Sequence, residues 1–308
     1  MRPDGKLVKD VGPMYMLVPY IMTERSDSMN MIEEAASYDA IHNYVLQKRR
    51  EGVKISHMAV VMAAYVRTVS QFKALNRFIV RSRIYAHKDL SVAMVVLRPG
   101  AVDSSMGKIK FDLYDTIYDV NDRINKYVEE NSNPETSTGL DKLMGAILKI
   151  PGLVRFLVWL IRTLDKFGLL PKAVCDVSPF HETMVFTNLA SIKTNHIYHH
   201  VYNFGTCNMV MAMGNTVERP QTVGGEIKLN KEIPFGIVMD ERIADGHYFA
   251  QAFAEMKKYM LDPSLLETPP ENVECDFPFP TLSSRFPTKK QLKAEKKAAK
   301  KAEKEAKK

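Results

Sequence analysis

Residues 240–246 read Asp-Glu-Arg-Ile-Ala-Asp-Gly and run directly into "HYFAQAFAEMKKYM", a stretch with helical apolar spacing. Asp240 and Glu241 stand beside Arg242, and Asp245-Gly246 closes the cluster. Carboxylates so placed can move protons or pair with the arginine. Histidine, the side chain best suited to proton transfer near neutral pH, is absent from the cluster itself. The nearest is His247, which as the first full residue of a helix can simply point outward. A second group, His196, His199 and His200 in "NHIYHH", suggests a metal. No cysteine or acid lies at ligand spacing, so no metal is expected and a solvent-facing or lining cluster is the plainer reading.

The elements that must position these groups follow from periodicity. Residues 33–50 read as a helix ended by Gly52, and 56–72 as a second with Met58, Val61, Met62, Tyr65, Val66 and Val69 on one face. "LSVAMVVL" (90–97) is a strand bounded by Pro99-Gly100. Leu113, Ile117, Val120, Ile124 and Val128 predict an amphipathic helix over 112–130. The second half is sheet-rich: "ETMVFTNLAS", "CNMVMAMG", "GEIKLN" and "IPFGIVMDE" are β-type runs, with Gly224-Gly225 suited to a hairpin turn. Ile233, Phe235, Ile237 and Met239 alternate and predict one buried face. Without a βαβ rhythm, the class is α+β.

Composition bounds the rest. Hydrophobic residues make up 45% and charged ones 26%, which is globular rather than disordered. Three cysteines without a CxxC pair argue against a disulfide framework. The polar N-terminus shows no signal peptide, so a cytoplasmic location is expected. The net charge of +7 resides in the tail: Lys289–Lys308 holds ten Lys and three Glu, leaving 33 basic and 33 acidic residues elsewhere. Specific nucleic-acid binding by the body thus has no compositional support. The tail reads as a solvated segment, with contact to acidic surfaces as the alternative.

In order and pattern these strings resemble the catalytic domain of the 2-oxo acid dehydrogenase (dihydrolipoamide) acyltransferase family, and more distantly chloramphenicol acetyltransferase. The family's signature is a strand ending in Asp-His-Arg, two residues, then Asp-Gly and a helix; Asp240-Glu241-Arg242-Ile243-Ala244-Asp245-Gly246 has that frame. "FTNLAS" (186–191) resembles the family's Ser-Asn-Leu-Gly strand end and "CNMVMAMGNTVERP" the strand after it. "GVKISHMAVVMAAYVRTVSQFKALN" and "HKDLSVAMVV" match in pattern, so the resemblance spans about residues 15–265. It implies a chloramphenicol acetyltransferase-like mixed sheet with packed helices and a trimer with active sites between neighbouring subunits. It also implies acyl transfer between coenzyme A, or another thiol carrier, and an acceptor.

The site residues that the resemblance implies are Glu241, at the position of the general-base histidine, Thr187, as a hydroxyl that can donate to the oxyanion, and Asp245, as a structural anchor rather than a proton carrier. An ordinary strand-end threonine is the alternative for Thr187. Arg242 supports Asp245, while His247, His199 and His200 are alternative bases. The departures are Glu241 itself, "LRPGAVDSSMG" in place of the family's Thr-Pro-x-Gly-Leu loop, and no lipoyl domain ahead of the catalytic one. From a thiol at ~8.5, proton transfer is uphill by about 5.7 kcal/mol to a free Glu and about 2.7 to a His. The ~3 kcal/mol difference is at most roughly 100-fold in rate, and burial of the carboxylate would narrow it. The expected function is an acyltransferase using acyl-CoA; the alternative is a catalytically degenerate trimeric scaffold or acyl/CoA-binding module.

The expected organisation is a catalytic domain over 1–265 with an apolar helical insert at about 143–174, a Pro-rich linker over 266–288 and the tail 289–308. Six consecutive apolar residues, Phe156–Ile161, fall far short of the ~20 of a spanning helix. The insert reads as a buried or subunit-interface helix, as a lid over an acyl channel, or as an interfacial helix making peripheral membrane contact together with the tail.

Overall fold

The structure is a computed structural model of the chain and describes residues 2–97, 104–131 and 150–277. The tail, the linker beyond 277, residues 132–149 and most of the "LRPGAVDSSMG" loop lie outside the described residues.

A seven-stranded mixed sheet organises the body. Its strands are β2 (Met29–Ser37), β5 (Leu90–Leu97), β6 (Ser104–Phe111), β7 (Met184–Asn188), β8 (Met209–Met213), β9 (Val217–Val223) and β10 (Glu226–Asp240). The order is β2-β10-β8-β7-β5-β6, with β9 paired to the outer half of β10. A small sheet of β1 (Gly5–Leu7), β4 (Arg83–His87) and β3 (Arg77–Val80) flanks it. The fold is mixed α+β, as the alternation and absent βαβ rhythm predict.

One face carries α2 (Tyr38–Arg50), α3 (His57–Gln71), α4 (Ile117–Asn131) and α7 (Gly246–Leu261). Their apolar stripes enclose the main core with Met184, Phe186, Met209, Met211 and the predicted Ile233, Phe235, Ile237 and Met239. The opposite face was not expected to be covered. There the chain from Thr194 to Cys207 lies over the sheet, and Val201 and Cys207 pack with Ala93, Val185, Val210 and Val238. All of Ile233–Asp240 is therefore buried. Two glycines permit the close crossing: a Cβ on Gly214 would sit 2.5 Å from the His196 nitrogen, and one on Gly236 would sit 2.6 Å from the Ile197 oxygen.

Two expected helices begin later than their periodicity suggests. Residues 33–37 belong to β2, registered on β10 from Met29↔Asp240 to Ser37↔Glu232. Tertiary pairing overrides the helical composition of "EEAAS", and Ser37 then caps α2 by accepting the Ala40 N–H. Likewise α4 begins at Ile117, because Thr116 and Asp119 exchange hydrogen bonds in a capping box.

Within the insert, α5 (Leu153–Phe167) and α6 (Lys172–Val177) are described. Of the α5 side chains only Asp165 is buried, while Phe156, Val158, Trp159 and Phe167 face outward. The helix is thus held by a polar clasp instead of its apolar stripe: Arg2 bridges Asp4 (2.8 Å) and Asp165 (2.5 Å). No helix among the described residues is long and apolar enough to cross a membrane.

The first part of the expected linker lies on the body. Its prolines keep Thr268–Phe277 out of regular structure, yet Arg77 grips Asp276 (2.7 Å) and Glu274 N–H donates to Ser70 O (2.7 Å). Glu267, at the start of the same segment, gathers Lys48, Tyr44 and Tyr118.

Candidate active site

The buried end of β10 is held by a cluster of charged and polar contacts. Asp240 is 0% exposed, and Arg242 binds its carboxylate through Nε (2.8 Å) and Nη2 (2.7 Å). Ser28 donates to the same carboxylate (3.1 Å), and Arg25 stands 3.6 Å away. Arg25 also donates to the carbonyls of Tyr202 and Gly205, which ties the covering segment to the strand end. Burial lowers the Arg25 pKa, and the Asp240 charge opposes that. The sequence pattern carried no signal for Ser28 or Arg25, which lie over 200 residues from the cluster.

Asp240, rather than Asp245, is therefore the partner of Arg242. Asp245 is exposed and caps α7, accepting the Tyr248 N–H at 2.8 Å. It also accepts the Tyr15 hydroxyl at 2.6 Å. These two hydrogen bonds, the Tyr15 one first, hold its carboxyl below the usual range. A two-residue spacing along an extended chain brings Arg242 back onto Asp240, whereas Asp245 has already turned toward the helix.

Glu241 sits between these pinned residues. Its N–H donates to Ser28 O (2.8 Å), and its half-buried carboxylate has no hydrogen-bond partner among the described residues. Thr187, in β7, is also half-buried with a hydroxyl free of described partners. The sheet register separates the two. Thr187 is level with Ala212 and, beyond it, Gly236. Glu241 lies five residues further along β10, so the two are about 16 Å apart along the strands and about 10 Å across them. Within one chain they are at opposite ends of the sheet.

The histidines divide between those ends. His196 crosses near Gly214 and Gly236 with Nε2 3.7 Å from Glu33. Val201 N–H donates to the Met29 sulfur, beside Asp240, which places the stretch after His200 at the other end. Burial and then His200 lower the pKa of half-buried His199, whose Nε2 has no partner. His200 is exposed against the Tyr202 ring, and His247 is exposed on the first turn of α7. One group among the described residues has metal-ligand spacing, Asp4, Cys175 and His181, within 4.8 Å of one another. The Arg2 guanidinium already lies against Asp4, so a positive charge is supplied there by the chain.

Glu182 is a buried acid that the sequence reading passed over. It is 0% exposed and neither oxygen has a hydrogen-bond partner. Burial raises its pKa to about 8, against the opposing pull of Lys108 and then Cys207. The folded state thus binds this proton more tightly than the unfolded chain, and stability falls as pH rises from near the unfolded value through about 8. Glu182→Gln keeps the shape of the neutral acid. In urea titrations its stability relative to the wild type should grow by at least about 1 kcal/mol between pH 5 and pH 9. Equal pH slopes for the two proteins would contradict this.

Residues 183–268, which run from β7 past the end of α7, match the model of the 2-oxoacid dehydrogenases acyltransferase (catalytic domain) family. Among solved structures, a probable dihydrolipoamide acetyltransferase of Listeria monocytogenes superposes with a TM-score of 0.52 at 13% identity, covering 82% of this chain and 93% of that one. The dihydrolipoamide acetyltransferase of Azotobacter vinelandii gives 0.54 at 12%, covering 84% and 93%. A chloramphenicol acetyltransferase gives 0.51 at 8%, covering 83% and 99%. No curated protein matches the chain in sequence.

The chain has the fold of these acyltransferase catalytic domains. Its matched segment carries the strand–Asp-x-Arg–helix frame, with Glu241 at the centre of that frame.

Proposed function

We propose that the chain is an acyltransferase that moves an acyl group between coenzyme A, or another thiol carrier, and an acceptor, at sites shared by neighbouring subunits of a homotrimer. The observation that carries this reading is the placement of Glu241 and Thr187 at opposite ends of one sheet, each half-buried and each unpartnered. A cyclic trimer can set the Glu241 end of one subunit against the Thr187 end of the next, which a single chain cannot.

In such a site Glu241 takes the proton from the acceptor's hydroxyl or thiol, whose oxygen or sulfur then bonds to the thioester carbonyl carbon. The Thr187 hydroxyl of the neighbouring subunit donates to the resulting oxyanion. The carbon–sulfur bond breaks, and the departing thiolate takes the proton from Glu241. Asp240, Arg242 and Ser28 hold the backbone that presents Glu241, and Asp245 caps the helix behind it. The alternative reading, a non-catalytic acyl- or CoA-binding scaffold, draws on one observation: no hydrogen bond among the described residues orients the Glu241 carboxylate.

Subunit complementation tests the shared site. Glu241→Gln and Thr187→Val homo-oligomers should each lose most thiol release from acetyl-CoA in an acceptor screen. Co-expressed in equal amounts, they should regain about a quarter of wild-type turnover, because about one interface in four then joins an intact Glu241 to an intact Thr187. No recovery in mixed oligomers of active wild-type protein would exclude the shared site. Binding of coenzyme A with no turnover in the wild type would favour the scaffold.

A further inference from the structure

A cleft of about 790 Å³ opens beneath α5, away from the Thr187 end of the sheet. Its charge is one-sided. Arg25, Arg81, Arg155, Arg162, Lys166 and Arg242 line it, against the carboxylates of Glu24 and Asp165. Arg25 and Arg242 already share Asp240, and both lining acids are engaged too: Glu24 accepts from Asn203 (2.9 Å), and Asp165 is bound by Arg2. Arg155, Arg162 and Lys166 are exposed and have no carboxylate partner among the described residues. On the floor the Nε of buried Arg25 finds no hydrogen-bond acceptor.

The cations alternate with apolar surface. Along α5, Arg155, Trp159, Arg162 and Lys166 fall at i, i+4, i+7 and i+11, one stripe of the helix, with Val154 and Val158 beside it. Across the cleft the β3–β4 turn holds Arg81 and Ser82 at φ +51° and +54°, a left-handed pair usually left to Asn and Gly. That strained turn sets the Arg81 guanidinium over the Phe167 ring of α5, 4.8 Å from its centroid, at the lip of the cleft.

We propose that this cleft binds a phosphate-bearing amphiphile, with the phosphate on the arginines and the apolar portion along Val158 and Trp159. Guanidinium forks match phosphate oxygens in pairs, and the excess of unpaired cations favours a dianion over a single carboxylate. Arg242 lines the cleft and is the chain neighbour of Glu241. If the proposed acyl transfer holds, the amphiphile is the substrate class it serves; its binding does not depend on turnover.

Trp159 is the only tryptophan and is 60% exposed, so its emission reports directly on occupancy. Octyl phosphate, kept below its micelle concentration, should shift that emission to the blue and saturate, with affinity falling as salt rises. Arg155→Gln combined with Arg162→Gln should weaken binding at least about tenfold, since two charge-assisted contacts go. Its circular dichroism melt should be unchanged, as both side chains are exposed on a clasped helix. Glu241→Gln should bind like the wild type, which separates this site from the proposed chemistry. The proposal is overturned if octyl carboxylate, octanol or octyltrimethylammonium binds as tightly, or if inorganic phosphate alone does. An unaltered affinity in the double variant, or a response only to anionic lipid vesicles, would overturn it equally.

Discussion

Asp240→Asn should lower the free energy of unfolding by about 3–5 kcal/mol, the largest stability effect expected of any single substitution in the frame. The buried carboxylate is the counter-charge of two buried guanidinium groups, Arg242 at 2.7 Å and Arg25 at 3.6 Å. Asparagine keeps the size of the side chain but leaves both arginines, each only 3% exposed, without their counter-charge. Asp245→Asn is the informative contrast. Asparagine caps helices about as well as aspartate, so that variant should lie within about 0.5 kcal/mol of the wild type. Urea denaturation of the two variants side by side decides the matter. A larger loss for Asp245→Asn would mean that the arginine pairing described above is wrong.

Glu241→His should raise acyl transfer by up to about 100-fold, the ceiling set by the ~3 kcal/mol difference in proton affinity between free carboxylate and imidazole. The backbone at 241 is already fixed by Ser28, Asp240 and Arg242, so the substitution changes the base without moving its support. The variant should also gain activity as pH rises through about 6.5, where imidazole becomes free to accept a proton. Steady-state thiol release across pH 5.5–8 measures both. A variant that folds and binds acetyl-CoA like the wild type, yet is no faster, would show that proton transfer at 241 does not limit the reaction.

Much of the fold was legible because its signals are local. The strand at 90–97 follows from its β-type composition bounded by Pro99-Gly100 and the helix after Gly246 from 3.6-residue spacing, and Ser56, the expected start of the second helix, is the residue that caps α3. The Gly224-Gly225 turn, with φ of +64° and +87°, is a hairpin for the same reason. Residues 33–37 misled because an edge strand gains its stability from its neighbour, in this case β10, and not from its own composition.

By itself the sequence determined the strand–turn–helix frame around Asp240, Arg242 and Asp245-Gly246, because short-range spacing and helix capping set it, while the α+β class followed from helices and strands mixed without a βαβ rhythm. It also placed a carboxylate, Glu241, at the position where the resemblance implies a histidine base. Only the tertiary structure decided which acid the arginine holds, that a remote segment covers the second face of the sheet, and that Glu241 and Thr187 lie at opposite ends of it. Only the tertiary structure showed that α5 clasps the body by Asp165 over a basic cleft. Those outcomes depend on contacts between residues far apart in the chain, where the burial of charge and the register of strands, rather than any local preference, select the partner.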